Sequence, residues 1–401
     1  MRSKPSLLII FLTVFIDLIG FGMIIPLLPY YALAFDASPL MVTFLSTIYS
    51  LMQFLFSPFW GGLSDRFGRR PVLLISIAGT ACAYGWFAVA GSLTSLFMAR
   101  LLGGVFTANF GAAQAYIADI TTTENRAKGM GLFGAAFGLG FIVGPALGGL
   151  LSPFGYMVPG LVAASLSVLN FVFAWWFLPE SQQPAVRARN RQKPFQWLAV
   201  HRPFTDFLRL RQDRNPVFFL ILIVWVVITG HAMFEGTFAL ILESVLQFSA
   251  REFGLIFTVI GIVTAVVQGV LIGPLTQRFG NRFLIISGLW FTMLSLVILS
   301  LMSPDSLWLL YIGIVSYSFG LALFSPSMNG LISGMTHQDD QGKILGLSQG
   351  FGSLGRIVGP VTGGLAFTAG PPGLPLWAGA TLMGLGLLLI WNHLKPDLTR
   401  S

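Results

Sequence analysis

Five ionisable side chains sit in stretches that are otherwise almost wholly apolar: Asp17, Arg100, His231, Glu235 and Arg356. Placing a charge at the centre of a membrane-crossing helix costs roughly 3 kcal/mol on insertion scales, so such residues face a protein interior or a water path and mark ion or substrate routes. The chemistry open to Asp17 and Glu235 there is the reversible loading of a proton or cation, which is what coupling to an ion gradient requires. Asp17 has a second reading, as the ionised partner of Arg100. His231, one turn before Glu235, is a hydrogen-bond partner for it, a second titrating group or a packing histidine. Arg356 stays charged when buried, and is placed either to pair with Glu235 or to hold an anionic group of a substrate.

These residues need elements that cross a bilayer, and the composition supplies them. Of 401 residues 55% are hydrophobic and 9% charged, with a mean hydropathy of +0.80; soluble domains carry about 25% charged residues. About 20 apolar residues span the hydrocarbon core as a helix. Breaks at charges and Pro/Gly clusters predict twelve spans, near 7–34, 41–63, 72–90, 93–118, 128–151 and 156–178, then 216–242, 253–276, 283–302, 306–335, 343–367 and 374–393. The expected domains are a six-helix bundle over 1–180, a basic linker with an amphipathic helix over 181–215, and a second bundle over 216–401.

Lys and Arg collect in short cytoplasmic loops. With both termini inside, Arg251 falls outside, Arg100 and Arg356 fall within spans, and the other 20 of the 23 are cytoplasmic. Eight of them lie between 187 and 214, beside Trp197 and Phe207, as in a surface helix resting on anionic lipid rather than a nucleic-acid site. The lone Cys82 excludes a disulfide scaffold and a thiolate metal site. No Gly-x-x-x-x-Gly-Lys-Ser/Thr loop is present, which disfavours ATP as the energy source, and no soluble lobe gathers a nucleophile, base and orienter as an enzyme would. No cofactor or metal is expected, a proton gradient being the driving force. A monomer suffices, because the two bundles together make a complete pathway.

The halves repeat. At an offset of 215, residues 128–150 share 12 identities in 23 positions with 343–365, including Gly140, Gly144-Pro145 and Gly148-Gly149 against Gly355, Gly359-Pro360 and Gly363-Gly364. A weaker echo sets Gly61, Leu63, Arg66, Phe67, Gly68 and Arg70 against Gly273, Leu275, Arg278, Phe279, Gly280 and Arg282. Small residues at these intervals let helices approach closely, and Pro145 removes a backbone hydrogen bond.

The run Gly61-Gly62-Leu63-Ser64-Asp65-Arg66-Phe67-Gly68-Arg69-Arg70 resembles the loop signature of the major facilitator superfamily. Gly131, Gly140, Gly144, Pro145, Gly148 and Gly149 resemble the motif of its antiporter branch. Span one, with Asp17, Gly20, Gly22, Pro26 and Pro29, is most similar to bacterial tetracycline and multidrug efflux pumps, and Phe234-Glu235 resembles the quinolone-type pumps. The resemblance implies an all-α fold of twelve helices in two pseudo-symmetric bundles with substrate between them. It implies proton-coupled export of small amphipathic molecules by alternating access, in a bacterial inner membrane. It also implies a gate in which Asp65 meets the start of span eleven and Arg69 pairs with Asp119, supported by Arg66, Arg70, Gly140, Gly144, Pro145, Gly148, Gly359 and Pro360. Gln277 stands where the second loop signature has an acid, and span nine lacks the acid that tetracycline pumps carry there, so the resemblance does not extend to tetracycline as substrate. Gln53, Asn109, Gln114, Asn170, Gln268 and Asn329 are cavity candidates, with interhelical hydrogen bonding as the competing reading. A lipid or glycolipid exporter, an uptake symporter and a transport-dead receptor are the rival functions.

Overall fold

The computed structural model describes residues 6–122, 125–192, 202–212, 216–336 and 341–393; Lys193, Trp197 and Arg214 of the linker lie outside them. The described residues form helices and no strand. In order they are α1 (Leu7–Ile24), α2 (Leu28–Leu33), α3 (Pro39–Phe67), α4 (Arg69–Ala88), α5 (Leu93–Phe106), α6 (Phe110–Ile120), α7 (Arg126–Leu151), α8 (Met157–Phe177), α9 (Pro184–Gln192), α10 (Arg202–Gln212), α11 (Val217–Leu246), α12 (Ala250–Val266), α13 (Ile272–Ser300), α14 (Leu307–Gly334), α15 (Gln341–Ala369) and α16 (Leu374–His393).

Local chemistry sets the boundaries. Ser6 caps α1 by accepting from Leu8 N–H at 3.2 Å, and Ser92 caps α5 by accepting from Ser95 N–H at 3.2 Å, each satisfying a donor the first turn leaves open. Pro26 and Pro29 flank the break between α1 and α2, since proline has no N–H to give the ladder. Gly68 (φ +109°) starts α4, and Gly280 (φ +76°) turns the chain within α13. These are aligned positions of the repeated loop, and both take backbone conformations that side-chain-bearing residues rarely adopt.

Ten helical stretches among the described residues are long and apolar enough to cross a membrane. One of them, Ala250–Ser300, runs 51 residues, enough for two crossings separated at Gly280. With the 29-residue α15, every one of the twelve expected spans is helical. Span one is broken near Pro26, between α1 and α2, and span four mid-way, between α5 and α6.

The chain forms two compact units. Unit one comprises Met1–Asp36, Ile48–Val200 and Ala250–Thr258; unit two comprises Ala37–Thr47, His201–Ser249 and Val259–Ser401. In unit one the aromatic core is built on Tyr116 and Phe87, and in unit two on Tyr317, Phe234 and Phe238. The α10 helix of the linker is pinned to unit two by Phe207, whose ring stacks at 4.5 Å on Phe218 and lies 4.3 Å from Phe351.

Candidate functional site

The charged loop of unit one is a junction of five helices, α3, α4, α6, α8 and α9. Arg69 is buried and bonds Asp65 at 2.6 Å, Asp119 at 3.2 Å and Ser64 Oγ at 2.7 Å. Asp119 also accepts from Ser181 Oγ at 2.9 Å. Arg70 closes the carboxyl end of α8, donating at 2.7 Å to both Leu178 O and Trp175 O, where a cation complements the helix dipole. Arg66 accepts at its carbonyl from Arg191 Nε at 3.1 Å. Asp65 keeps its side chain on Arg69, and its carbonyl accepts from Gln182 at 3.1 Å and Asn190 at 3.3 Å.

The residue that organises this loop is one the sequence did not single out. Glu180, just past α8, accepts from the backbone N–H groups of Arg69 (2.9 Å), Arg70 (3.3 Å) and Gln182 (3.0 Å). It is the N-terminal cap of α4, supplied from over a hundred residues away in sequence. A Cβ on Gly68 would meet the Glu180 carboxylate. The only sequence signal was an acid following Pro179 at the end of a span.

The glycines of α7 bring it to backbone contact with α1. A Cβ at Gly144 would lie 2.7 Å from Gly22 Cα and Ile19 O, and one at Gly140 would strike Leu18. Gly148 faces the Met23 carbonyl, and Pro145 rests against Gly22. In unit two, Gly355 and Gly359 of α15 face Thr229 of α11, and Pro360 packs on Gly236. The last glycine of each motif meets a different helix: Gly149 touches Gly254 and the Arg251 carbonyl, while Gly364 touches Thr43. Gly131, by contrast, has open space where its Cβ would be.

The interruption of span four explains two of the polar candidates. It frees carbonyls that an intact helix would bond, and in an apolar interior each needs a donor. Trp60 Nε1 bonds Val105 O at 2.6 Å, Ser76 Oγ bonds Phe106 O, and Gln53 Nε2 bonds Thr107 O at 3.3 Å. Asn109 donates to Ser76 Oγ. Gln53 therefore repairs backbone directly, and Asn109 supports the Ser76 hydroxyl that does so. Asn170 is fully buried and donates to Thr13 O at 2.9 Å, with its Oδ1 unpartnered. Gln114, Gln268 and Asn329 are exposed, Gln268 within a π-helical turn over Val267–Leu271.

Asp17 is buried, and among the described residues no hydrogen bond or ion pair reaches it; its Oδ1 is shut from solvent without a partner there. It lines a small cavity with Thr13, Ile77, Asn109 and Phe110, about 10 Å³ in volume, roughly what one water molecule occupies. Arg100 is not its ion-pair partner. The guanidinium lies 4.1 Å over the ring of Tyr49, a cation–π contact that holds a buried charge without an acid. Asp17, Tyr49, Tyr84 and Arg100 nonetheless share one electrostatic neighbourhood.

In unit two, His231 is buried and its Nδ1 shares a 2.9 Å hydrogen bond with Tyr317 Oη, not with Glu235. Glu235 is the one exposed side chain of α11 between Val217 and Leu242. Arg356, half-buried on α15, lies within its electrostatic reach without forming an ion pair. Counted from the two glycines that face the motif prolines, Asp17 lies five residues before Gly22 and Glu235 one before Gly236. The acids thus differ in depth by four residues, about 6 Å along a helix.

The sequence profile of the Major Facilitator Superfamily matches residues 10–243 and 220–400. The chain is 34% identical over 400 residues to the tetracycline resistance protein, class C, of Escherichia coli, covering 97% of this chain and 96% of that protein. It is 29% identical over 402 residues to multidrug resistance protein 2 of Bacillus subtilis (strain 168), covering 99% and 97%. Among solved structures, the human organic anion transporter MFSD10 superposes with a TM-score of 0.72 at 24% identity, covering 96% of this chain and 98% of that one.

Proposed function

The chain belongs to the Major Facilitator Superfamily, a family of multi-pass membrane transporters of small molecules, and on that premise we propose that it is a proton-coupled antiporter exporting amphipathic or hydrophobic compounds by alternating access. The observation that carries the reading is Asp17: a mid-span carboxyl, buried, without counter-ion or hydrogen bond among the described residues, beside a space the size of one water. An ionised group so placed is stable only with a proton, a cation or a water against it, and that requirement is what a coupling site exploits. Glu235, open to its surroundings about one turn deeper in the repeat, is the second proton site. The direction of transport follows from likeness to proteins named for tetracycline and multidrug resistance.

On this reading the driving force is the proton gradient, with no cofactor. The protein works as a monomer among the lipids of a bacterial inner membrane, both termini cytoplasmic. The ion pairs around Arg69 brace the cytoplasmic end of unit one, and the glycine contacts of α7 and α15 are the surfaces over which the helices rock.

The test is substrate-triggered proton release from purified protein in liposomes, comparing the parent with Asp17→Asn and Glu235→Gln across cationic, zwitterionic and neutral amphiphiles. Release that disappears in either variant identifies the coupling acid. Solute flux undiminished in both would refute proton coupling and favour facilitated or lipid transport. Solute accumulated together with protons would mean a symporter, and ligand binding without flux a receptor.

A further inference from the structure

The two arginines within the spans are held differently. Arg100 is closed off, buried and covered by the Tyr49 ring at 4.1 Å, so no ligand reaches its donors. Arg356 is half-buried in the middle of α15, with part of its surface open. Among the described residues its guanidinium makes a single hydrogen bond, from Nη2 to Ser353 Oγ at 3.0 Å, within its own helix. An arginine carries five N–H donors in a planar fork, and most of this one is uncommitted.

Glu235 is the nearest candidate to neutralise it, and the two do not pair. Pro360, one turn beyond Arg356, packs on Gly236, the residue after Glu235, so the charges lie on adjoining parts of the α11–α15 contact. Both are accessible and neither bonds the other. An accessible cation and an accessible acid, close but unjoined, form a site with two poles. A planar fork matches a carboxylate through two parallel hydrogen bonds, which a point charge cannot reproduce. Such a contact gains strength where the surroundings are apolar. The acid opposes a simple anion when ionised, and accepts a ligand that brings its own positive group or arrives when the acid is protonated.

We infer that Arg356 recognises a carboxylate on the substrate, and that the transported compounds include carboxylate-bearing amphiphiles, zwitterions foremost, whose cationic end faces Glu235. This rests on the export reading for the site being a substrate site, and it names the substrate class that reading left open.

The experiment measures equilibrium binding, by fluorescence anisotropy, of a zwitterionic rhodamine with a free carboxylate and of its methyl ester to the purified full-length chain in detergent. The parent should bind the carboxylate dye about tenfold or more tightly than the ester, the effect expected of a charge-assisted hydrogen bond. Arg356→Gln should abolish that preference while leaving ester binding within about twofold of the parent, and Arg356→Lys should restore only part of it. The ester serves as the check that the variant is folded. Failure of the parent to prefer the carboxylate dye, including failure to bind either dye, overturns the inference, as does Arg356→Gln weakening both dyes equally. Binding needs no gradient, so the preference is read independently of coupling: a parent protein that prefers the carboxylate dye yet releases no protons with substrate in liposomes refutes the antiport reading alone.

Discussion

Replacing Glu180 with alanine removes the acceptor that three backbone N–H groups share, those of Arg69, Arg70 and Gln182 at 2.9, 3.3 and 3.0 Å. Arg69 and Gln182 are buried residues, and a buried donor left without a partner costs about 1–3 kcal/mol. The Arg70 bond is longer, and water can replace it. Loss of an anion at a helix N-terminus adds about 0.3–1 kcal/mol. Water reaching the opened site offsets part of this, so the expected net loss is about 2–3 kcal/mol, a 30-fold or greater shift in the folding equilibrium. Glu180→Gln keeps an acceptor oxygen and loses the charge, so about 1 kcal/mol is expected. Reversible unfolding in mixed micelles titrated with SDS, followed by tryptophan fluorescence, measures both. An alanine variant within about 0.5 kcal/mol of the parent, or a glutamine variant no more stable than alanine, would refute the assignment of Glu180 as the cap of α4.

In the same assay Gly68→Ala should cost about 1–3 kcal/mol from its φ of +109°, and less in an Glu180→Ala background, because the new methyl collides with the carboxylate that variant lacks; equal costs in both backgrounds would show the two residues to be independent. Gly144→Val should destabilise by about 1–3 kcal/mol through overpacking against Gly22 and Ile19 and slow substrate flux, whereas Gly131→Ala, in the same motif but facing open space, should stay within about 0.5 kcal/mol; a Gly131 variant as impaired as Gly144→Val would refute the contact argument.

What the sequence revealed, and what it concealed, divides by range. Glycines at four-residue intervals announce a helix face before any partner is known, and Gly140, Gly144 and Gly148 do lie on one face against α1. Charges inside apolar runs are equally plain, because nothing in a membrane hides their cost. Partners were harder to read. Arg100 suggested Asp17 because opposite charges attract, yet an aromatic face also holds a cation, and which of the two α1 and α3 offers depends on helix rotation. His231 carried three readings, and its hydrogen bond to Tyr317, 86 residues on, fits the packing histidine; that distant partner could not be read from the sequence. Gln53 and Asn109 carried two readings, cavity lining and interhelical hydrogen bonding, which the sequence leaves equal; the interruption of span four gives them a carbonyl and a hydroxyl to bond, and Asn109 also lines the cavity beside Asp17. Glu180 was illegible because a cap supplied by a distant helix obeys no local pattern.

The composition of the two units bears on how the chain is made. Residues 250–258 belong to unit one, and 37–47 to unit two. A ribosome delivers the first of these segments only after the linker and all of α11 have emerged, so the contact of Gly149 with Gly254 forms after the rest of unit one has been made. The later unit in turn takes up a segment near Thr43 made long before it. Each unit therefore includes a segment from across the linker, so neither half of the chain by itself supplies a whole unit.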